Sequence, residues 1–276
     1  MSAVCPEHTL NSPGANGETM IFCNLGSGSK GNSTYVQDDG PALLVDQGFS
    51  LKNLLFRMMQ AELDPQAVRA VLLTHEHSDH QAGVGTFARR FRVPVYTTEK
   101  TLSRIPERIQ KHLDFRIFQS GDELDIAGMR IKTFHIPHDA VDPIGLVIAG
   151  KSHRIGIITD IGAEVQYLRA YLQDLDLLFL ESNHDIEMLD KGPYPLWLRT
   201  RIRSRVGHLS NEQAAGLFRQ LSLNGRLKHL VLAHLSEQNN TPDLVLKAFR
   251  LITDSILGIP QLHVASQSLP GQRIEL

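Results

Sequence analysis

The run 68–74 (VRAVLLT) is almost wholly apolar, and it stops without transition at His75-Glu76-His77-Ser78-Asp79-His80. A strand solvated on one face alternates apolar and polar residues, so a continuous apolar run marks a strand covered on both faces. The form recurs along the chain. Residues 154–159 (RIGIIT) end at Asp160, 175–180 (LDLLFL) at Glu181, and 230–233 at His234. Such strands need helices on both sides of their sheets, and in layered α/β folds the sites gather at strand ends. The chain is thereby constrained to sheets covered by helices, with His, Asp and Glu brought to the strand termini.

The other segments fit that frame. Helical spacing is present over 51–63, closed by Asp64-Pro65, and helices are also expected over 102–112, 211–222 and 242–256. Shorter strands are expected at 34–36, 42–46, 93–96, 115–118, 129–134 and 144–149. Residues 1–19 are polar, with Pro13, Gly14 and Gly17, and read as a flexible leader before a single domain at 20–276. No repeat period and no linker divides that domain.

Composition removes several function classes. A hydrophobic share of 42% across 276 residues is enough for a full core. Lys+Arg 28 against Asp+Glu 30 excludes a globally basic nucleic-acid binder, though not a local basic patch. The cysteines, Cys5 and Cys23, are too few for a disulfide framework and suit a reducing, cytoplasmic setting. No apolar run approaches the ~20 residues that span a bilayer, and the N-terminus lacks the pattern of a secretory signal.

Histidine is the anomaly, with 13 in the chain and three of them in the run 75–80. Imidazole and carboxylate together suit zinc, manganese or iron. The spacing is not the H-E-x-x-H helix motif, because the offsets do not give an i, i+4 pair. Ligands from one loop leave a second ion incomplete, which directs attention to isolated residues at later strand ends: His138 (with His135 as its competitor), Asp160 and His234. A carboxylate at Asp160 has an oxygen for each of two ions.

With the strings SGSKGNS, THEHSDH, PHDAVDPIG, TDIG, LESNHD, GHLSN and LAHLSEQNN, the chain resembles the metallo-β-lactamase-fold hydrolases, and within them the YycJ/WalJ-type branch. The resemblance runs from about residue 21 to the C-terminal region. It implies an αββα sandwich with two divalent ions at one edge between the sheets. Carried onto this sequence, it implies that His75, His77 and His138 hold one ion, Asp79, His80 and His234 the other, and Asp160 both. His138 is preferred to His135 because the family's histidine is followed directly by Asp, as at His138-Asp139. It further implies a nuclease, specifically a 5′-to-3′ exonuclease with DNA favoured over RNA, attacking with a metal-bound hydroxide. Asp79 would orient that hydroxide, and His208 would protonate the departing oxygen. Ser210 and Asn211 can cap the following helix while His208 faces the site.

Other segments carry substrate expectations. Asn32, in a glycine-rich turn that fails as a P-loop for want of Lys-Ser/Thr, is a candidate contact, as are Asn183 and His184. Arg199, Arg201, Arg203 and Arg205 alternate just before His208, a basic patch suited to a phosphate backbone, with Arg201 the chosen contact. Aromatic residues number 17 and advertise no stacking platform. Two other readings stand beside the nuclease: a thioester or amide hydrolase of the same fold, and a non-catalytic partner of a cell-wall two-component system.

Overall fold

The computed structural model describes residues 19–221, 225–253 and 260–276. The expected leader lies outside them except for Thr19, and so does the end of the helix expected over 242–256. The strands of the first half are β1 (Met20–Gly26), β2 (Ser33–Asp38), β3 (Ala42–Val45), β4 (Val68–Leu72), β5 (Val95–Thr98) and β6 (Phe115–Phe118). Those that follow are β7 (Glu123–Ile126), β8 (Met129–His135), β9 (Ile144–Ala149), β10 (Arg154–Ile158), β11 (Leu177–Glu181), β12 (His229–Ala233), β13 (Gln261–Val264) and β14 (Ile274–Glu275). They form two seven-stranded sheets, ordered β14-β1-β2-β3-β4-β5-β6 and β13-β12-β11-β10-β9-β8-β7.

The sheets are built alike. Each starts as an antiparallel meander, β1–β3 in one and β7–β10 in the other, and continues with parallel strands. Parallel steps require crossovers, and helices supply them. The terminal β14 closes the far edge of the first sheet against β1, pairing Ile21 with Glu275.

Three apolar clusters explain the continuous runs. Leu43, Val45, Ala70 and Leu72 of the first sheet meet Leu177, Phe179, Val231 and Ala233 of the second in a shared central core. The alternate residues of the same strands point outward. Leu44 and Val71 pack under Leu54, Met58 and Phe87, from the helices Leu51–Gln60 and Val84–Phe91. Leu178, Leu180 and Leu232 pack under Leu217, Phe218 and Phe249, from Asn211–Gln220 and Pro242–Thr253. Both faces of these central strands are largely dry, so the apolar pattern is nearly unbroken, with Arg69 of β4 the exposed exception.

Two helix expectations are corrected. The segment 102–112 is not one helix but two short ones, Glu99–Arg104 and Glu107–Gln110. Pro106 lies between them and cannot donate to the preceding turn. The first helix stops at Gln60, short of residue 63, because Glu62 turns left-handed at φ 53°. Among the described residues, no helix is long and apolar enough to cross a membrane.

Candidate metal centre

Every residue of the expected ligand set converges at one end of the two sheets. Immediately after β4 the chain leaves the core, and Ser78–Gln81 winds a single helical turn. That turn moves His80 inward until it is wholly buried, while His77 stays at the rim. One ring nitrogen from each of His75, His77 and His138 lies within 4.8 Å of the other two, and the same holds for a carboxylate oxygen of Asp79 with a ring nitrogen each of His80 and His234. Between the trios sits the Asp160 carboxylate. One oxygen is 3.3 Å from His80 Nε2, and the other is 3.4 Å from His234 Nδ1 and 3.8 Å from His138 Nε2. Asp160 and His234 both take left-handed backbone, φ 60° and 55°, at the step where each strand turns into its loop. Asp tolerates this region better than most residues. His135 is exposed at the end of β8, outside the cluster, and its carbonyl accepts from the Tyr167 hydroxyl.

The second nitrogen of each ring decides what the first can do. Thr74 Oγ1 donates to Asp46 and therefore accepts from His75 Nδ1, at 3.0 Å. His80 Nδ1 donates to Asp46 Oδ2 at 2.8 Å, and His138 Nδ1 to the Gly207 carbonyl at 3.1 Å. Three imidazoles are thus fixed with Nε2 facing the cluster, the arrangement by which outer partners aim metal ligands. Buried His75 Nε2 and both ring nitrogens of His234 have no hydrogen-bond partner among the described residues. His138 Nε2 lies 3.3 Å from His77 Nδ1. Buried ring nitrogens left without partners and crowded in this way, in a donor set of imidazole and carboxylate, fit a divalent metal.

Charge in the cluster points the same way. Burial presses His75 well toward the neutral form, which is the ligating form, and presses His138 in the same direction. Burial presses His234 in the same direction, but the Asp160 carboxylate and contacts with Asp79 and Glu181 outweigh it and raise the ring to about 10. His80 is likewise raised, by Asp160, Asp46 and Asp79 against its burial. Burial favours the protonated form of Asp160, yet His234 and His80 hold it ionised. Carboxylates that pin protons on buried rings would pin a cation in their place.

A cavity of about 230 Å³ opens beside the cluster, lined by Ser29, Asn183, Tyr194, Arg201, His208 and His234 among others. His208 Nδ1 donates to the buried Glu181 carboxylate at 2.7 Å, which leaves Nε2 for the cavity. It does not cap the helix that follows; Ser210 does, in a capping box with Gln213. Arg201 stands at the rim, its guanidinium on Asp139 at 2.5 Å. Asn183 lines the cavity and donates to the His234 carbonyl at 2.8 Å. Two substrate candidates sit deeper than the sequence suggests. Asn32 is buried, accepting from Gly28 N and donating to Asp79 Oδ2 at 3.0 Å, so it fixes a carboxylate. His184 is 2% exposed, beneath the surface of the site.

Sequence reasoning missed the roles of Asp46, Glu181 and the pair Asn211 and Asn240. Asp46 ends β3 in left-handed backbone, φ 59°, as Asp160 ends β10, and the rule that found one would have found the other. Glu181 was visible as the acid that ends a buried strand but was given no role, and it proves to be the partner of His208. Asn240 and Asn211 exchange amide hydrogen bonds at 2.9 Å each, and Asn240 also reaches the Ser182 carbonyl. These amides tie the loops of the LESNHD, GHLSN and LAHLSEQNN strings into one buried unit.

The beta-lactamase superfamily domain model matches residues 42–235. The chain is 38% identical over 228 residues to an exodeoxyribonuclease YycJ of Bacillus anthracis, covering 82% of this chain and 86% of that one. It belongs to the metallo-β-lactamase fold family, in the YycJ/WalJ-type branch. An exodeoxyribonuclease WalJ of Streptococcus pneumoniae shares 35% identity over 80% of this chain and 83% of its own length. Among solved metallo-β-lactamase structures, YhfI of Bacillus subtilis superposes with a TM-score of 0.72 over 94% of this chain and all of the other, at 19% identity. The short form of human tRNase Z does so with 0.63 over 91% of this chain and 98% of its own, at 16%. The layered sheets and helices are those of this family, as the sequence implied.

Proposed function

We propose that the protein is a DNA exonuclease that works from a 5′ end, with two divalent ions held in the cluster. It is a metal-dependent phosphodiester hydrolase, in keeping with relatives named exodeoxyribonuclease that it matches over most of both chains. The observation that carries the finer reading is the Asp160 carboxylate between the two trios of ligands, one oxygen facing His80 and the other lying near both His234 and His138. One ion would rest on His75, His77 and His138, the other on Asp79, His80 and His234, and Asp160 would touch both. Zinc or manganese suits the donors, and iron is compatible. Ions bound there lower the pKa of water and neutralise charge on phosphoryl oxygens.

The chain's own groups do the rest. Asn32 holds Asp79 in position to orient the attacking water. His208, on the cavity wall, gives its Nε2 proton to the departing oxygen. Glu181 stabilises the charged ring at the start of that transfer. Burial alone would push the Glu181 carboxyl up, but His208 and His234 bring it below its ordinary range, so it remains an anion. Arg201 at the rim and Asn183 on the cavity wall meet the phosphate and sugar of the bound strand. His184 lies deeper, and its carbonyl accepts from Asn211 N. The basic helix beside the cavity favours a phosphate substrate over a thioester.

Linear DNA with a 5′ phosphate, linear DNA with a 5′ hydroxyl, circular DNA and an RNA of the same sequence test this, together with metal content. The expected result is two ions per chain, shortening of linear DNA from the 5′ end and an intact circle. Cutting of the circle, or faster turnover of a thioester than of bis-p-nitrophenyl phosphate, overturns it.

A further inference from the structure

His75, His80 and His138 are each held by the nitrogen turned away from the cluster, on Thr74, Asp46 and the Gly207 carbonyl. His77 has no such hydrogen bond among the described residues. Its Nδ1 faces His138 Nε2 at 3.3 Å, so that nitrogen belongs to the inner side of the first trio. Among the described residues, the one carboxylate within 4.0 Å of the ring is that of Asp139, its Oδ1 3.9 Å from Nε2. That is longer than a hydrogen bond. Both side chains are partly exposed, and closing by about 1 Å would bring the pair to ordinary length.

Proton inventory selects the partner. Asp139 Oδ1 is also 3.4 Å from His138 Nε2. That nitrogen has no proton to give, because the proton of the neutral ring is on Nδ1, bonded to Gly207. His77 Nε2 carries a proton whenever Nδ1 serves as a ligand, so it is the donor within reach. The other oxygen is already engaged: Arg201 Nε donates to Asp139 Oδ2 at 2.5 Å. A guanidinium has five N–H donors in one plane, so this bond leaves both terminal nitrogens for a phosphate. Arg201 lines the cavity from the helix Leu196–Arg203, whereas Asp139 directly follows His138 in the loop after β8. One carboxylate thus lies between a cavity arginine and a ring of the metal centre.

We propose that Asp139 is a positioning residue: it accepts a hydrogen bond from His77 Nε2, so fixing Nδ1 toward the first ion, and is itself anchored by Arg201. The proposal rests on the metal-dependent reading above, with His77 as a ligand, and adds the group that aims it. Outer carboxylates of this kind set the tautomer and orientation of a ligating imidazole. The affinity of the first ion then depends on a side chain of a helix that contributes no ligand. The arginine that meets the phosphate and the ion that meets it are joined through one acid.

Two measurements without substrate test this. In zinc-loaded wild type with isotope-labelled histidine, nuclear magnetic resonance should find His77 bound through Nδ1, with a slowly exchanging proton on Nε2. Asp139→Ala should lose the slow exchange there, while His75, His80 and His138 keep theirs. Zinc competition with a chromogenic chelator should show one ion held roughly 10- to 100-fold more weakly in Asp139→Ala. Asp139→Asn retains an acceptor oxygen and should lose less. Arg201→Ala, which frees the carboxylate, should lose part of the same affinity; an arginine that only binds substrate would leave it at the wild-type value, and that result overturns the anchor. Coordination of His77 through Nε2 in wild type overturns the proposal whether or not any variant folds. Equal zinc affinity in wild type and Asp139→Ala also overturns it and leaves the nuclease reading intact. Outright loss of one ion from Asp139→Asn as well as Asp139→Ala makes the carboxylate a ligand, which overturns the positioning role. A wild type that binds no pair of ions brings down the two-ion reading, and the role of Asp139 with it.

Discussion

Glu181 is wholly buried, and its two oxygens serve different masters: one accepts from His208 Nδ1 and the other from the Ile161 amide at 2.6 Å. That clamp fixes which nitrogen of His208 faces the cavity. Replacing His208 with Ala is expected to slow oligonucleotide cleavage roughly 10²–10⁴-fold, the usual worth of a positioned acid. The loss on bis-p-nitrophenyl phosphate should be far smaller, because nitrophenolate departs without a proton. Glu181→Gln should fall between the two. Equal losses on both substrates would give His208 some other task. His184 makes a second residue-scale prediction. Its burial, helped by nearby His208 and Arg203 and opposed by Glu181, lowers the ring from 6.5 to about 4. The folded value lies below the unfolded one, so the unfolded chain takes up the proton first. The stability this gives is complete above pH ~6.5 and is lost as pH falls toward 4, at most roughly 3 kcal/mol. Melting temperature should drop less between pH 7 and pH 5 in His184→Asn than in wild type; parallel curves would contradict the assignment.

Among the elements, the segment after β3 and the turn after β4 are locked together by backbone. Asn32 N donates to the Asp79 carbonyl at 2.7 Å, Gln47 N to that of His80 at 2.8 Å, and Gly83 N to that of Gln47 at 2.9 Å. Gly48 lies inside this lattice, where an added Cβ would come within 1.8 Å of the Asp79 carbonyl oxygen. Backbone cannot step aside as a flexible side chain does. Gly48→Ala is therefore expected to cost at least the ~3 kcal/mol upper end of ordinary overpacking and to weaken metal binding with it. Calorimetry and a metal titration would show both, and a wild-type melting point in the variant would refute the interlock. Elements of this kind mark the limit of legibility. The strands at 68–72, 154–158 and 177–181 were readable because two dry faces leave an unbroken apolar run. The short turn Ser78–Gln81 was not, since tertiary hydrogen bonds rather than periodicity make it. Pro106 was visible in the sequence, yet the spacing around it still suggested one helix. The ligand residues stood out by chemical type. Asp46 stands at a strand end as visibly as Asp160 does, but its task of holding Thr74 and His80 depends on a strand pairing, β3 beside β4, that no local pattern reports.

On the scale of the whole molecule, the centre draws on both sheets. His75, His77, Asp79 and His80 follow β4 of the first, while His138, Asp160 and His234 follow strands of the second. A bound cation therefore joins the sheets at one end of their shared core. Removing it leaves bare lone pairs and a buried carboxylate facing each other. Chelation is expected to lower the melting temperature by roughly 10 °C at metal concentrations far above the dissociation constant, and zinc or manganese should restore it. A melting point indifferent to chelator and metal would deny the centre any hold on the fold. The resemblance to known relatives was legible over nearly the whole chain because its strings are the loops at this end. The order of strands within each sheet was not, because partners such as β1 and β14 lie at opposite ends of the sequence.

The left-handed backbone at Asp160 also narrows how this protein can change. Asn is the other residue that sits in that conformation at small cost, and it has nearly the same shape. An Asp-to-Asn exchange would leave the strand, its turn and the core as they are, and would remove half of the oxygen donors along with the negative charge. Descendants carrying it would keep the architecture and fall silent as enzymes, so within this fold inert kin lie one amide away.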